Sequence, residues 1–266
     1  MSRGLVELAH APQIEPVPLE TTGWPAAATI VQLSSDDQSG AFTGVVSLPS
    51  GWRRGDGAAQ GDTELFVLSG TIRIGDTLRG YGYYEFAPAG TDQEAWIVED
   101  RCSLLLMARG SPEFVTGLGG STHGRIERDT EQLPWTETLI GSHPPGVVMK
   151  ILRQVEETGE TVLLESIVPR WDYPVIEYHG CAEELFLVDG DMWLGNSGTM
   201  HPGSYLWRPA YYTHGPFYTR RGAVILAWLE ADVDSRYVDD AHRSAEENRR
   251  DAEAEAEEER APAEPA

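Results

Sequence analysis

Short runs rich in Val, Ile, Tyr and Phe, separated by Gly, Asp and Pro, follow one another along most of the chain. Examples are AFTGVVSL, ELFVL, TIRIG and YYEF in the first half, and TVLLESIV, ELFLV, DMWLG and AVILAWL in the second. β-Branched and aromatic residues at a period of two favour strands, and closely spaced turn residues favour antiparallel connections. The pattern predicts an all-β protein of antiparallel sandwiches or barrels, with a double-sheet jelly roll as the closest match.

The strand pattern occurs twice. Residues 64–75, ELFVLSGTIRIG, correspond to residues 184–195, ELFLVDGDMWLG. Further along, GYYEFAP at residues 82–88 corresponds to GSYLWRP at residues 203–209. A repeat of about 120 residues is too long for a solenoid unit and has the size of a small domain. The sequence therefore predicts two copies of one small domain in tandem.

The end of the chain has a different composition. From about Asp239 the sequence changes to HRSAEENRRDAEAEAEEERAPAEPA, in which Ala and Glu dominate and almost nothing is large and apolar. This segment has helix propensity but no apolar face, so we expect a solvated or frayed helical tail that becomes disordered at APAEPA. An acidic interaction tail is the alternative. The predicted organisation is an N-terminal domain over 1–115, a C-terminal domain over 116–238 and an acidic tail over 239–266.

Charge and cysteine content narrow the classes of partner and compartment. The formal net charge of -23 would repel a phosphate backbone, so we expect no nucleic-acid partner. No stretch approaches 18 apolar residues and no signal-peptide h-region is evident, which predicts a cytoplasmic protein without a membrane partner. The only cysteines, Cys102 and Cys181, provide no disulfide framework and suit a reducing compartment.

Two segments of the second repeat have the spacing of a known pair of motifs. EYHGCAEELFLVDG resembles the first cupin motif, G(X)5HXH(X)3,4E(X)6G, through His179, Glu183 and Gly190. GSYLWRPAYYTH resembles the second cupin motif, G(X)5PXG(X)2H, through Pro209 and His214, with Ala-Tyr in place of X-Gly. The chain thus resembles a two-domain member of the cupin superfamily, or bicupin. The resemblance implies two tandem double-stranded β-helix domains.

The resemblance also implies a metal site in the second domain, with Glu177, His179, Glu183 and His214 as ligands. Glu177 stands where the family has the first His of HXH, and this marks either a retuned site or an abandoned one. Strand alternation in PVIEYH places Glu177 and His179 on one face. Two imidazoles and two carboxylates suit one divalent ion, with Fe(II) preferred and Mn(II), Ni(II) or Zn(II) as alternatives.

The first repeat lacks the corresponding ligands. Thr63 occupies the position of Glu183, Gln93 occupies the position of His214, and WRRGDGAAQGD contains no histidine. We therefore expect the N-terminal domain to serve packing, dimerisation or pocket building, and the C-terminal domain to carry any metal chemistry.

Three residues near the motifs are candidates for catalytic roles: Glu177, Arg208 and Tyr212. Arg208 has a planar fork that suits a carboxylate partner. Glu184 is expected on the opposite strand face from Glu183, in a structural role. Cys181 is expected to be an inert, buried or partly buried thiol, because no adjacent Lys or Arg would lower its pKa.

Cupin sites catalyse several kinds of reaction, so the resemblance predicts the residues of the site but not the type of reaction. We expect a non-haem iron dioxygenase acting on a small oxygenated organic substrate. The alternatives are a redox-neutral isomerase, lyase or decarboxylase and a non-catalytic small-molecule-binding or sensor cupin. A homodimer is expected because the barrel sheets carry many aromatic residues.

Overall fold

A computed structural model describes residues 3–117, 122–137 and 145–260, the last of these without the side chains of residues 258–260. The predicted disordered end, APAEPA, lies outside the described residues. No helix in the described ranges has the length and apolar character required to cross a membrane.

The secondary structure is almost entirely strand, which confirms the predicted all-β class. The first strands in chain order are β1 (Val6–His10), β2 (Val17–Pro18), β3 (Thr29–Ser35), β4 (Phe42–Leu48), β5 (Arg53–Arg54), β6 (Gly57–Ala59), β7 (Thr63–Gly70), β8 (Ile72–Ile74), β9 (Thr77–Arg79), β10 (Tyr83–Ala87), β11 (Trp96–Ile97), β12 (Cys102–Ala108), β13 (Phe114–Thr116) and β14 (Ile126–Asp129).

The later strands are β15 (Thr136–Glu137), β16 (Val147–Gln154), β17 (Thr161–Ile167), β18 (Asp172–Tyr173), β19 (Ile176–Tyr178), β20 (Glu183–Gly190), β21 (Met192–Leu194), β22 (Thr199–Met200), β23 (Ser204–Arg208), β24 (Phe217–Tyr218), β25 (Ala223–Leu229) and β26 (Arg236–Val238). Two short 3-10 turns cover Ala11–Gln13 and Gly195–Ser197, and one helix, α1, covers Ala245–Arg260.

The chain divides into two compact units. The N-terminal unit contains Ala9–Trp135 and the residues before Leu5, and the C-terminal unit contains Leu5–Leu8 and the chain from Thr136 onward. Residues 116–135, which the sequence analysis assigned to the second domain, lie in the N-terminal unit because β14 pairs with β10. Leu5–Leu8 lie in the C-terminal unit, where β1 is the edge neighbour of β23.

The N-terminal unit consists of two main sheets around one core. A seven-stranded sheet has the order β14-β10-β7-β12-β4-β3-β2, and a four-stranded sheet has the order β5-β11-β8-β9. Alternation along β12 places Leu104 and Leu106 in the core, where they join Leu65 and Val67 of β7. Strands β13 and β6 form a separate, short antiparallel pair.

The C-terminal unit repeats this arrangement. Its seven-stranded sheet has the order β1-β23-β20-β25-β17-β16-β15, its four-stranded sheet β18-β24-β21-β22, and its short pair β19-β26. Leu163 and Ile167 of β17 and Ile225 and Ala227 of β25 point into one core. The two units confirm the predicted jelly-roll fold, in which each strand presents alternate residues to the interior.

Helix α1 begins at a capping box. The backbone N–H of Ser244 donates to Glu247 Oε2 at 2.9 Å, and the backbone N–H of Glu247 donates to Ser244 Oγ at 3.3 Å. Reciprocal bonds of this kind satisfy amides that the first helical turn leaves without partners. The predicted helix propensity of the tail is therefore realised from Ala245 onward.

The prediction that this helix has no buried face is wrong. Asn248 is completely buried and Ala252 is nearly so. Asn248 Nδ2 donates to the Tyr211 carbonyl at 2.9 Å and to Thr213 Oγ1 at 2.7 Å. An analysis of apolar periodicity could not detect this contact, because the buried anchor is a polar side chain rather than an apolar stripe. Helix α1 thus packs beside the loop that carries His214.

Candidate metal centre

A backbone bridge brings the two motif segments of the C-terminal unit together. The Glu177 N–H donates to the His214 carbonyl at 2.9 Å, and the His214 N–H donates to the Glu177 carbonyl at 2.9 Å. His179 follows β19 directly, and Glu183 is the first residue of β20. This geometry places side chains from three separate chain segments at one end of the barrel.

Three of the four predicted ligands form a compact buried cluster. Ligand atoms of His179, Glu183 and His214 all lie within 4.8 Å of one another. His179 Nε2 is 3.6 Å from Glu183 Oε2, and His214 Nε2 is 3.9 Å from Glu183 Oε1. Ligands at about 2.1 Å from a common ion are separated by about 3 to 3.5 Å in tetrahedral or octahedral geometry. The cluster therefore fits a metal ion after small side-chain adjustments.

Both imidazoles are oriented by backbone carbonyls. His214 Nδ1 lies 2.8 Å from the Tyr212 carbonyl, and His179 Nδ1 lies 3.3 Å from the Cys181 carbonyl. A carbonyl can only accept a hydrogen bond, so each Nδ1 is placed to donate, and a neutral ring in this tautomer offers the lone pair of Nε2 to a metal. Both Nε2 atoms face the Glu183 carboxylate. Such outer hydrogen bonds are the usual support of metal-binding histidines.

The electrostatics of the cluster suit metal binding. Burial lowers the pKa of His214 to about 3, so this imidazole is neutral at neutral pH. Burial alone would raise the pKa of Glu183, but the positive charges of His214 and Arg208 lower it to about 2. Above its own pKa His214 is uncharged, and Arg208 then provides the positive charge that keeps Glu183 ionised. Neutral imidazole and ionised carboxylate are the protonation states that bind metals.

Glu177 lies at the margin of this cluster. Its Oε1 is 3.9 Å from His214 Nε2, and its Oε2 is 3.5 Å from the Tyr173 hydroxyl, which in turn is 3.1 Å from the Tyr237 hydroxyl. Burial raises the pKa of Glu177, although His179 and a hydrogen bond from Ser235 oppose the shift. The carboxylate can serve as a fourth ligand or as a proton acceptor beside the metal.

Arg208 lies next to Glu183 on the neighbouring strand. The two residues are paired across β20 and β23, and Arg208 Nη1 donates to Glu183 Oε1 at 2.8 Å. Arg208 is only 1% exposed. Its Nε and Nη2 are buried and have no hydrogen-bond partner in the described structure. The sequence analysis predicted Arg208 at the site, and the structure brings it there.

Tyr212 is not brought to the cavity. Its hydroxyl donates to Glu7 Oε1 on β1 at 3.0 Å, and its ring centroid lies 5.9 Å from Arg208 Cζ. The preceding residue, Tyr211, has a φ of 67°, so the backbone turns sharply within the motif. Tyr212 is a neighbour of Arg208 and does not line the cavity wall, which argues against the catalytic role proposed for it from sequence.

The two neighbouring candidates have structural surroundings. Glu184 accepts a hydrogen bond from the Tyr205 hydroxyl at 2.8 Å, and in the N-terminal unit Glu64 accepts one from Tyr84 at 2.7 Å. The same pair in both units indicates a role in the fold. Burial raises the pKa of Cys181 to about 11, so its thiol is protonated at neutral pH.

The cluster opens into a small cavity of about 90 Å³. Its polar residues are Glu177, His179, Glu183, Arg208, His214, Tyr173 and Ser235, together with the indole of Trp171. The remaining wall is apolar and is formed by Ile167, Leu185, Met192, Leu194, Met200, Phe217, Ile225, Leu229 and Val233. A concave apolar site with a few convergent polar groups is the usual form of a small-molecule site.

Sequence reasoning missed a third carboxyl group in this region. Glu165 lies on β17 between Leu163 and Ile167, which both point into the core. Burial raises the pKa of Glu165 to about 7, and the charges of Glu183 and Glu177 add to the effect. The detectable signal was a charged residue on the inward, otherwise apolar face of TVLLESIV.

Family models match both halves of the chain. Residues 123–231 match the ChrR cupin-like domain, and residues 7–116 match a domain of unknown function, DUF4437. No curated protein matches the chain in sequence.

Solved structures provide similar folds over most of the chain. A candidate dioxygenase from Nostoc punctiforme has a TM-score of 0.80 at 21% identity, over 90% of this chain and 88% of its own. The E. coli protein Ylba has a TM-score of 0.59 at 15% identity, over 85% and 92%. Lactobacillus farciminis oxalate decarboxylase has a TM-score of 0.57 at 11% identity, over 88% of each chain. At these identities the likeness concerns the fold. With the match of residues 123–231 to a cupin-like domain, the duplicated jelly roll and the motif residues in place, the chain consists of two tandem domains of the cupin fold.

Proposed function

We propose that this protein is a metal-dependent cupin enzyme, specifically a non-haem iron dioxygenase acting on a small oxygenated substrate. The observation that carries the proposal is the buried set of His179, Glu183 and His214. Two histidines and one carboxylate with open positions are typical of non-haem Fe(II) oxygenases. When bound there, Fe(II) would supply the redox chemistry with dioxygen and a chelating substrate. The structural likeness to a candidate dioxygenase supports this choice over other cupin reactions.

The residues of the chain would perform the remaining tasks. The carbonyls of Tyr212 and Cys181 hold the two imidazoles with Nε2 toward the ion. The apolar wall excludes bulk water, which strengthens electrostatic interactions within the cavity. Glu177, beside the Tyr173 hydroxyl, is placed to take a proton from an enol or phenol substrate. Glu183 remains ionised because Arg208 accompanies it.

The test begins with elemental analysis of protein purified without an affinity metal column. Wild type is expected to contain about one equivalent of metal, and His214→Gln little or none, because tight binding needs all three ligands. Gln already occupies the corresponding position in the N-terminal unit, so this substitution suits the fold. Gln93→Ala is the matched control and should leave the metal content unchanged.

The redox part of the proposal has its own measurement. After anaerobic loading with Fe(II), nitric oxide serves as a dioxygen analogue, and an iron-nitrosyl electron paramagnetic resonance signal is expected only when coordination positions are open. A metal content of zero even after reconstitution would overturn the enzyme proposal in favour of a binding cupin. A metal-loaded protein that forms no nitrosyl complex would overturn the dioxygenase assignment alone.

One observation favours a second candidate, a redox-neutral lyase, isomerase or decarboxylase. The pKa of Glu165 is raised by burial to about 7, in the range suited to general acid and base catalysis at neutral pH. A metal that polarises a substrate oxygen beside such a carboxyl group would support proton transfer without dioxygen. Substrate turnover that is unchanged under anaerobic conditions would establish this candidate, whereas loss of turnover without dioxygen would exclude it.

A further inference from the structure

Arg208 has more hydrogen-bonding capacity than its protein partners use. Nη1 is bonded to Glu183, while Nε and Nη2 are buried without a partner in the described structure. These two nitrogens form the edge of the guanidinium that binds a carboxylate with two parallel hydrogen bonds. Leaving buried charged N–H groups unpaired is costly, so an acceptor is expected when the site is in use.

Charge compensation for Glu183 explains only part of this arrangement. A cation whose sole purpose was to neutralise one carboxylate would need only the bond at Nη1. In the N-terminal unit the corresponding cross-strand pair is Thr63 and Ala87, so the fold itself requires neither charge at this position. Arg208 also lines the metal cavity, so a ligand held there would lie beside its guanidinium.

The rest of the cavity restricts what that ligand can be. Arg208 is the one lysine or arginine among the described residues that line it, and most of the wall surface is apolar. A second carboxylate on the ligand that does not reach the metal would therefore lie against apolar side chains without a cation. The cavity volume of about 90 Å³ restricts the ligand to a small molecule.

We propose that the metal cavity binds a small monocarboxylate with an apolar body, and that Nε and Nη2 of Arg208 receive its carboxylate. This inference deepens the proposed function, on which the identification of the cavity as a metal site rests. The anchor itself belongs to the protein and acts with or without the ion.

The charges of the site agree with a monoanion. With Glu177 and Glu183 ionised, a divalent ion and Arg208 would leave one net positive charge, which a single carboxylate neutralises. Glu165 is the further acidic group that faces this region, and burial keeps it mainly protonated below about pH 7. A dianion would leave the buried site negatively charged.

The test is calorimetric titration with isobutyrate, with isobutyramide as the neutral isostere, on the metal-free and the Zn(II)-loaded protein. Isobutyrate is expected to bind in both forms, more weakly without the ion because Arg208 is then the one cation beside two carboxylates. Isobutyramide should bind the Zn(II)-loaded protein at least about tenfold more weakly than isobutyrate, because charge-assisted bonds are the stronger ones. Arg208→Met should weaken isobutyrate binding about ten- to a hundredfold. Arg208→Lys keeps the charge beside Glu183 but removes the fork, and should fall between wild type and Arg208→Met.

Arg153→Lys is the matched control. Arg153 is a buried arginine of the same unit that pairs with Glu160 at 2.5 Å and does not line the cavity, so isobutyrate affinity should be unchanged. Thermal unfolding of each variant shows that it is folded. Equal binding of isobutyrate and isobutyramide, or isobutyrate binding that both Arg208 variants retain in full, would overturn the inference.

Failure of the inference and failure of the proposed function are distinguishable. Metal retention without Arg208-dependent isobutyrate binding overturns the inference and leaves the metal enzyme intact. Arg208-dependent isobutyrate binding by a protein that holds no metal upholds the carboxylate anchor and overturns the metal enzyme.

Discussion

The two cupin units use the same place in the barrel in opposite ways. In the C-terminal unit an isolated bridge joins Glu177 to His214, and in the N-terminal unit the corresponding bridge joins Gly57 to Gln93. A Cβ at Gly57 would lie 2.3 Å from the Val115 carbonyl oxygen, so no side chain fits at this position. The position that supplies a carboxylate in one unit is restricted to glycine in the other.

An internal cation fills the N-terminal interior. The Arg54 guanidinium lies 3.8 Å from the ring centroids of both Trp96 and Phe114, and its Nη2 donates to Gln93 Oε1 at 3.0 Å. Burial lowers the pKa of Arg54 to about 9. One barrel is closed by a protein cation between aromatic rings, whereas the other presents two imidazoles and a carboxylate to a cavity. The unit without the metal ligands is thus the one whose interior is filled.

The largest expected difference concerns transfer of the ligands between the units. Glu183→Thr with His214→Gln gives the C-terminal unit the N-terminal residues and should reduce bound metal from about one equivalent to none. The reciprocal pair, Thr63→Glu with Gln93→His, should add no second equivalent, because Arg54 and Phe114 occupy the space. Elemental analysis of both variants checks this, and a second equivalent in the reciprocal variant would contradict the filled-site explanation.

The next largest effect is expected from Arg54. Arg54→Ala should lower the free energy of unfolding by about 4 kcal/mol, since it creates a cavity and removes three ring contacts. Arg54→Met fills most of the volume and removes the buried charge, so its cost should be much smaller. Urea unfolding followed by tryptophan fluorescence measures both, because Trp24, Trp52 and Trp96 are packed together here. Equal losses in the two variants would show that volume is not the cause.

A pH-dependent effect separates Glu165 from its N-terminal counterpart, the buried Val46. Burial raises the pKa of Glu165 from its ordinary value of 4.5 to about 7, so the folded protein holds this proton more tightly than the unfolded chain. Wild-type stability should therefore decrease as pH rises from 4.5 to 7. Metal-free Glu165→Gln should be more stable than wild type at pH 8 by up to about 3 kcal/mol. Below pH 4.5 the two should coincide, and a constant difference at all pH values would contradict this origin.

The smallest expected effect concerns helix α1, an element that the described part of the N-terminal unit does not have. Asn248→Ala should cost about 2 kcal/mol, because it leaves the Tyr211 carbonyl and Thr213 Oγ1 without their donor. Hydrogen exchange should increase in α1 and in the adjoining loop. Arg249→Ala, which removes only an exposed pair with Glu246, should change stability by about 0.5 kcal/mol or less.

The fold was largely predictable from sequence, because alternation and turn residues report directly on strands. The duplication was predictable for the same reason, because corresponding strands pair in the two units. Strand β7 pairs with β10 in the N-terminal unit, and β20 pairs with β23 in the C-terminal unit. The clustering of His179, Glu183 and His214 could be anticipated only through motif spacing, since these residues come from separate strands and loops.

Other features depend on tertiary contacts that leave no periodic signal. Arg54 follows another arginine in a short strand, and nothing local indicates that three aromatic rings enclose it. Tyr212 lies within a motif and has a polar hydroxyl, as a site residue would. The backbone at Tyr211 has a positive φ, however, and the Tyr212 hydroxyl is hydrogen-bonded to Glu7. Glu165 was detectable, because a charged residue on the inward face of a strand conflicts with an apolar core.

The strand at the edge of the C-terminal sheet has a practical consequence. Residues Leu5–Leu8 come from the start of the chain, yet they cover the outer side of β23. A fragment that begins at residue 136 would therefore expose a row of unpaired backbone donors and acceptors, which promotes edge-to-edge aggregation. The second cupin domain should remain soluble by itself only when this strand is restored, either fused to the fragment or added as a peptide that completes the sheet.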